Sequence, residues 1–240
     1  MIVMNLSIQK NRFKIKSSRE EKVHVGKPVR SWEITSVCKE FTSNDVFVDI
    51  GCGVGKFTSE VFATLSPKMF IGVDVSEDQL QVAHDRFLKD KDVRLGDFHN
   101  LPLDNNIADV ALLRFAIHHS YDPKMCISEI KRILKPNGKL LIIEVENFEN
   151  EEANQFFNKL NKIREPSDFC FYSKEQLISI LQQEFNNIVH TNKSYHINLD
   201  DWLNSYEEPE KTIPMILNSN VFDIDENRNI KLCNQFIVAT

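Results

Sequence analysis

The chain has 240 residues and a formal net charge of −6, and 42% of its residues are hydrophobic and 27% charged. This balance suits a globular chain with one substantial core, and the acidity argues against nucleic acid as the main partner, because phosphate backbones favour basic surfaces. No apolar run reaches the ~18 residues of a membrane span, and the N-terminus lacks the apolar stretch of a signal peptide. The five cysteines form no Cys-x-x-Cys pair, which favours reduced thiols. The sequence therefore predicts a cytoplasmic protein, monomeric or homodimeric, with no membrane span.

Residues 1–30 are the basic part of the chain, with eight Lys or Arg against two Glu. Charged termini of this kind are usually solvated arms. A mobile lid or a docking element is the alternative. We therefore predict a basic N-terminal arm or lid over residues 1–30, followed by one domain over residues 31–240.

Short apolar runs alternate with longer amphipathic stretches between residues 45 and 146. Such alternation predicts right-handed βαβ units and a mostly parallel sheet. Because ligands bind beyond the carboxyl ends of the strands in these sheets, functional residues should directly follow strands. The runs predict strands at residues 46–50, 69–74, 93–95, 108–113 and 139–145, and helices at residues 55–65, 77–88 and 123–134.

The pattern changes after residue 147, where helical stretches come before the remaining strands. A turn-like segment at residues 223–229 directly precedes the last apolar run, which predicts a closing hairpin. The stretches predict helices at residues 149–163, 174–184 and 199–205, and strands at residues 187–197 and 231–240.

A glycine-rich loop follows the first predicted strand, with Gly51, Gly53 and Gly55 two residues apart and Asp49 two residues before them. Glycines adopt positive φ angles and let a ligand approach the backbone, and the helix that follows directs unpaired N–H groups toward the same space. The third glycine of the dinucleotide fingerprint Gly-x-Gly-x-x-Gly would fall at Lys56. This spacing disfavours an NAD-dependent oxidoreductase, which stays open as an alternative.

Acidic residues end the next two predicted strands. Asp74, after the second strand, is placed to accept hydrogen bonds from the two hydroxyls of a nucleoside ribose. Asp97, after the third, can accept from an exocyclic adenine amine, and Phe98 or Val75 can supply an apolar face for the ring. The alternative is that Asp74 is an ordinary helix-flanking acid and Asp97 an ordinary turn acid.

These motifs together resemble the class I S-adenosylmethionine-dependent methyltransferases, from VDIGCGVGKF through IGVDVS and GDFHNLPLDNNIADVALLRFAIHHS to EIKRILKPNGKLLII. Within that superfamily the chain is most similar to the UbiE/menaquinone-methyltransferase-like, small-molecule branch. Arg114, His118 and His119 are similar to its Arg-x-Ala-x-His-His pattern. Asp168 and Cys170 stand where that branch has the His and the second Arg of Arg-Asp-x-Ser-His-x-Arg, so the acceptor can differ.

The resemblance implies a Rossmann-like α/β fold, with seven mostly parallel strands, helices on both faces and an antiparallel last strand. It implies S-adenosyl-L-methionine as the cofactor and S-adenosyl-L-homocysteine as the product. Residues 45–146 would form the cofactor-binding core, and residues 147–230 the helices and cap on the acceptor side. The predicted cofactor-binding residues are Asp49, Gly51, Cys52, Gly53, Gly55, Asp74, Val75, Asp97, Phe98 and Arg114.

Methyl transfer from a sulfonium is an in-line displacement, so the protein must align the acceptor and remove its proton where it carries one. His118 and His119 follow a predicted strand and titrate near neutral pH, which makes them the candidate proton acceptors. Asp168 and Tyr172 are predicted to line the acceptor pocket. The chemistry requires no metal ion, and none is expected.

The sequence therefore predicts methyl transfer to an O, N, C or S nucleophile of a small organic acceptor. Three alternatives stay open. The chain could methylate RNA or protein, with the basic N-terminal arm as a docking element. It could be an NAD-dependent oxidoreductase, or a non-catalytic subunit that binds S-adenosylmethionine.

Overall fold

A computed structural model describes residues 27–165, 167–204 and 209–240. Its seven strands are β1 Val46–Ile50, β2 Met69–Asp74, β3 Asp92–Leu95, β4 Ala108–Arg114, β5 Leu134–Val145, β6 Ile188–Asn198 and β7 Asn229–Ala239. They form one sheet in the order β3-β2-β1-β4-β5-β7-β6. Neighbouring strands from β3 to β5 are parallel, and β7 runs antiparallel to both β5 and β6. The predicted fold class is confirmed.

Helices cover both faces of this sheet. They are α1 Lys27–Cys38, α2 Lys56–Thr64, α3 Glu77–Val82, α4 Pro123–Ile133, α5 Glu151–Arg164, α6 Lys174–Leu181, α7 Leu199–Asn204 and α8 Pro209–Leu217. Successive side chains of a strand point to opposite faces. Accordingly Val48 of β1 packs in the cluster that contains α4 and α6, and Phe47 packs in the cluster that contains α1 and α2.

The predicted strands and helices agree with the structure within a few residues, with four differences. Strand β5 begins at Leu134, five residues before the predicted start at residue 139, and Leu134 already pairs with Ala108 of β4. Helix α3 ends at Val82 and continues as a π-helical turn, Ala83–Phe87, rather than as the α-helix predicted to residue 88. Helices α1 and α8 were not predicted. The predicted closing hairpin is reduced to one bridge, between Ile224 and Ile230, because β7 pairs along its whole length with β6.

The C-terminal third packs around an aromatic cluster of its own. Phe222 contacts the rings of Phe157 and Trp202 at centroid distances of 6.1 Å each, and Phe171 joins through Phe157 at 5.5 Å. Trp202 and Phe171 are therefore packing residues, as their type suggested. This cluster holds the segment after α5 against the carboxyl ends of β5 and β6.

Residues 1–26 of the predicted N-terminal arm lie outside the described residues, whereas residues 27–30 are the first turn of α1. Across the described residues, no helix combines the length and apolarity needed to cross a bilayer.

Candidate functional site

The glycine loop between β1 and α2 is built around positive φ angles. Gly51 has φ 72° and Gly55 has φ 76°. A Cβ at Gly51 would lie 2.9 Å from the Ala116 Cβ, and a Cβ at Gly55 would lie 2.4 Å from the Leu88 side chain. The loop thus needs glycine at these positions for its own packing within the protein, and not only to let a ligand approach.

Asp74 lies at the carboxyl end of β2 with 8% of its surface exposed. Its Oδ2 accepts a hydrogen bond from the Gly53 N–H at 2.8 Å, and its Oδ1 accepts one from the Ser76 N–H at 2.9 Å. Burial raises the pKa of this carboxyl, and the backbone donors partly oppose that rise. Because each carboxylate oxygen has a second lone pair, Asp74 can still accept from two hydroxyl groups, such as those of a ribose diol.

Asp49 and Cys52 support the glycine loop from within. Asp49 accepts a hydrogen bond from the Thr58 hydroxyl of α2, and burial raises the pKa of this carboxyl to about 6. A Cβ added at Gly72 would lie 3.0 Å from the Cys52 Sγ. Both side chains therefore fix the loop to its neighbouring elements, and direct contact of either with a cofactor stays a prediction.

Asp97 belongs to a hydrogen-bonded chain after β3. Its Oδ1 lies 2.7 Å from the His99 Nδ1, and the His99 Nε2 lies 2.8 Å from the Ser120 Oγ. Burial alone would raise the pKa of Asp97, but its bonds to His99 bring that pKa below the usual value. Phe98 is partly buried against the sheet, and Tyr121 stacks on His99 at 3.8 Å. The carboxylate of Asp97 is thus held ionised at the same edge as Asp74.

Arg114 ends β4 and pairs with an acid of α1. Its Nη2 and Nε donate to the Glu33 Oε2 at 2.9 and 3.1 Å, and the Asn234 side chain donates to the Glu33 Oε1 at 2.8 Å. The guanidinium also lies 4.4 Å from the centre of the Phe57 ring. These contacts join α1, α2, β4 and β7, and leave a partly exposed cation beside a buried carboxylate.

His118 is fixed on two sides. Its Nδ1 lies 2.7 Å from the Oε2 of Glu144, a fully buried residue of β5 whose pKa burial raises to about 8. Its ring stacks on Phe171 at 4.3 Å. The His118 carbonyl accepts the Phe169 N–H at 2.7 Å, so the loop after α5 is held against the histidine pair.

The structure brings His118, His119 and Asp168 together. The Asp168 Oδ1 lies 3.3 Å from the His119 Nδ1 and 3.7 Å from the His118 Nε2. All three residues are more than nine-tenths buried. Tyr172 lies instead in the hydrophobic core with Leu177, and burial raises the pKa of its phenol. Its predicted place in the acceptor pocket stays a prediction.

Several residues at this edge escaped sequence reasoning. Glu33, His99 and Asn234 showed no sequence pattern that predicts a site. Each contacts residues that are distant in sequence or lies in a loop, and neither leaves a local pattern. Glu144 did show one, since it is an acid that directly follows the apolar run of residues 140–143 near the end of β5. It thus lies near the carboxyl end of a strand, as Asp74 does.

Residues 48–142 match the model of a protein family described as a methyltransferase domain. The chain is 31% identical over 125 residues to YcgJ, an uncharacterized methyltransferase of Bacillus subtilis (strain 168), and the match covers 50% of this chain and 48% of that protein. It is 33% identical over 110 residues to a demethylmenaquinone methyltransferase of Symbiobacterium thermophilum, and this match covers 43% of this chain and 44% of that protein. The chain thus spans less than half the length of these curated relatives.

Solved structures extend the likeness beyond the matched core. The crystal structure of Bacillus subtilis YcgJ matches with a TM-score of 0.77 at 20% identity, over 87% of this chain and 97% of that one. An N-methyltransferase of Haemonchus contortus, solved in complex with phosphomonomethylethanolamine and S-adenosylhomocysteine, matches with a TM-score of 0.60 at 20% identity, over 90% of this chain and 53% of that one. At these identities the likeness shows that the fold is shared.

Proposed function

Because residues 48–142 of this chain match the methyltransferase-domain family, we propose that it transfers a methyl group from S-adenosylmethionine to a small organic acceptor. The observation that carries this proposal is the Asp74 carboxylate at the carboxyl end of β2. It is buried and oriented by two backbone N–H groups, and each of its oxygens keeps a lone pair for a ribose hydroxyl. An acid at this position is what nucleoside recognition in a parallel sheet requires.

The residues along this edge fit the rest of the cofactor. Asp97, held ionised by His99, would accept from the adenine amine, with Phe98 and Val75 beside the ring. Arg114, a partly exposed cation that the buried Glu33 orients, suits the carboxylate of the methionine end. When bound, S-adenosylmethionine supplies a methyl group that its positively charged sulfur has already activated.

The acceptor would lie on the other side of the transferred methyl group, against the cluster of His118, His119 and Asp168. This cluster would align the acceptor and take up the acceptor's proton. His118 is the better placed proton acceptor, because Glu144 holds its Nδ1 and its Nε2 faces the Asp168 carboxylate. In this role Nε2 would take up the proton of the acceptor's O, N or S atom as that atom is methylated. The sulfonium of S-adenosylmethionine would lose its methyl group and leave as the thioether of S-adenosylhomocysteine.

A small acceptor fits this cluster better than a macromolecule does. All three side chains are more than nine-tenths buried, so an acceptor has to enter the protein to reach them. A demethylmenaquinone methyltransferase among the relatives supports the same class of acceptor. The atom that is methylated stays open between O, N, C and S.

Calorimetric titration of the purified chain with S-adenosylmethionine, S-adenosylhomocysteine and NAD tests the cofactor. We expect micromolar binding of the two sulfur nucleosides and no binding of NAD. Binding of NAD alone would overturn the proposal and favour the oxidoreductase. Binding of S-adenosylmethionine without turnover on any phenol, quinol, amine or thiol would favour a non-catalytic subunit.

The alternative of an RNA or protein substrate depends on the basic residues 1–26. A chain that begins at residue 27 tests it, and the deletion should stop there because Arg30 of α1 bonds to Glu60 of α2 at 2.8 Å. We expect turnover of a small acceptor to survive this deletion. Activity that appears only on RNA or protein, and only with residues 1–26 present, would contradict a small acceptor.

A further inference from the structure

We propose that His118, His119 and Asp168 form a binding site for a divalent transition-metal ion, and that Zn²⁺ is the ion that suits it best. One ligand atom from each residue lies within 4.8 Å of the other two. The two histidines come from the short helical turn after β4, and Asp168 comes from the loop after α5. The spacing in sequence is not that of a metal motif, so only the folded loop brings the three side chains together.

The distances in this cluster are those of ligands around a common centre. With Zn–N bonds of about 2.05 Å and Zn–O bonds of about 2.1 Å, two ligands of a tetrahedral site lie about 3.4 Å apart. The His119 Nδ1 and the Asp168 Oδ1 are 3.3 Å apart, and the His118 Nε2 and the same oxygen are 3.7 Å apart.

Glu144 supplies the outer carboxylate that metal-binding histidines usually have. Its Oε2 lies 2.7 Å from the His118 Nδ1, on the side of the ring away from Asp168. This contact directs the His118 Nε2 toward the cluster, and Phe171 stacks on the ring and limits its rotation. Proteins orient zinc-ligating imidazoles by this carboxylate–histidine arrangement.

The ligand set also indicates the kind of ion and site. Two imidazole nitrogens and one carboxylate oxygen suit Zn²⁺ and its first-row neighbours better than Mg²⁺ or Ca²⁺, which prefer oxygen ligands. Three protein ligands leave a coordination position open, as in catalytic rather than structural zinc sites. This site goes beyond the proposed function, because the ion would bind without cofactor or acceptor. The histidines would be ligands when the ion is bound and proton acceptors in the metal-free protein.

Metal binding can be measured directly on the full chain. The protein is treated with a chelator, desalted, and titrated with Zn²⁺ against a chromophoric competitor, and Co²⁺ is added in parallel to record the visible absorption of a tetrahedral site. We expect one equivalent of Zn²⁺ to bind. Replacement of one ligand, in His119→Ala or Asp168→Ala, should weaken binding at least about tenfold, and Glu144→Gln should weaken it about 10–100-fold.

His190→Ala is the matched control, because His190 also lies 3.7 Å from a carboxylate, that of Glu146, but outside the cluster. It should leave affinity and stoichiometry unchanged. Melting curves identify any variant that fails to fold, and Asp168→Asn and His119→Gln then replace it. No bound equivalent in the wild type, or unchanged affinity in the folded ligand variants, would overturn the site. Titration of the same samples with S-adenosylmethionine separates this outcome from a failure of the proposed function.

Discussion

At the scale of single residues, the main feature of the site is a group of buried acids near the carboxyl edge of the sheet. Glu33, Asp49, Asp74 and Glu144 are each less than 9% exposed, and a buried carboxylate is costly unless a partner compensates it. Each has such a partner. Glu33 pairs with Arg114, and Asp49 accepts from the Thr58 hydroxyl. Asp74 accepts from two backbone N–H groups, and Glu144 contacts His118. Buried acids gathered in one place are typical of functional sites.

Asp74→Asn should weaken S-adenosylmethionine binding by tenfold or more. The variant removes the charged acceptor of the ribose hydroxyls, and its amide NH₂ would face the Gly53 or Ser76 N–H group, which is also a donor. Calorimetric titration measures the change. Glu77→Gln, an exposed acid three residues further on, is the matched control. Equal affinity in the two variants would remove Asp74 from the cofactor site.

His118→Gln should lower turnover about 100-fold or more while the Kd of S-adenosylmethionine changes less than about twofold, since general bases contribute about 10²–10⁴ in rate. Initial rates on the identified acceptor are measured after chelator treatment, so that no bound ion contributes. His84→Gln is the control, because His84 is exposed on the π-helical turn. If His118→Gln keeps full turnover and His119→Gln loses it, His119 is the proton acceptor.

The elements differ in how well the sequence predicts them. Strands β1 and β2 were predicted to the residue, because nearly all of their side chains are buried and their runs are apolar apart from Asp49, Gly72 and Asp74. The π-helical turn after α3 escaped prediction, since one extra residue in a helical turn leaves no pattern. Helix α1 was not predicted, because it begins within the basic segment that was predicted to be an arm. Helix α8 contains Pro214, a residue that argues against a helix interior.

The residues of the candidate site also differ in how well the sequence predicts them. Asp74, Asp97, Arg114 and the histidine pair could be predicted because each lies at, or a few residues after, the carboxyl end of a strand, where the topology of a parallel sheet places ligands. Asp168 was predicted from the resemblance alone. Its approach to the histidines depends on the loop after α5, which no local pattern describes.

Gly55→Ala should destabilise the protein by about 2 kcal/mol or more. The residue has φ 76°, and its new Cβ would lie 2.4 Å from the Leu88 side chain. Urea unfolding measures the change. The double variant with Leu88→Ala completes a thermodynamic cycle. In it the steric contribution to the cost of Gly55→Ala is relieved, and the contribution from the unfavourable φ angle remains. Purely additive effects would show that Gly55 and Leu88 do not interact.

The stability of the whole molecule should depend on pH through Asp49. Burial raises the pKa of this carboxyl from 3.8 to about 6 in the folded state, so folding takes up a proton between these values. The stabilisation from the protonated form is present at low pH and is lost as pH rises through about 6. At higher pH the ionised residue then costs on the order of 3 kcal/mol.

Asp49→Asn removes this dependence, because an amide does not ionise. Its stability relative to the wild type should therefore rise between pH 5 and pH 7.5, as measured by urea unfolding at both values. The exposed Asp104→Asn is the matched control. A stability difference that stays constant across this range would contradict a raised pKa at Asp49.

The central position of β1 and β4 has a consequence for dynamics. Both strands are flanked by parallel neighbours, with Phe47–Ile50 opposite Val110–Leu113 in register. Their amide hydrogens should exchange with deuterium only when the entire domain unfolds, and so more slowly than those of the edge strand β3. The site residues that follow these strands rest on the slowest-exchanging part of the chain. Binding of S-adenosylmethionine should slow the exchange of these amides further, by the free energy of binding.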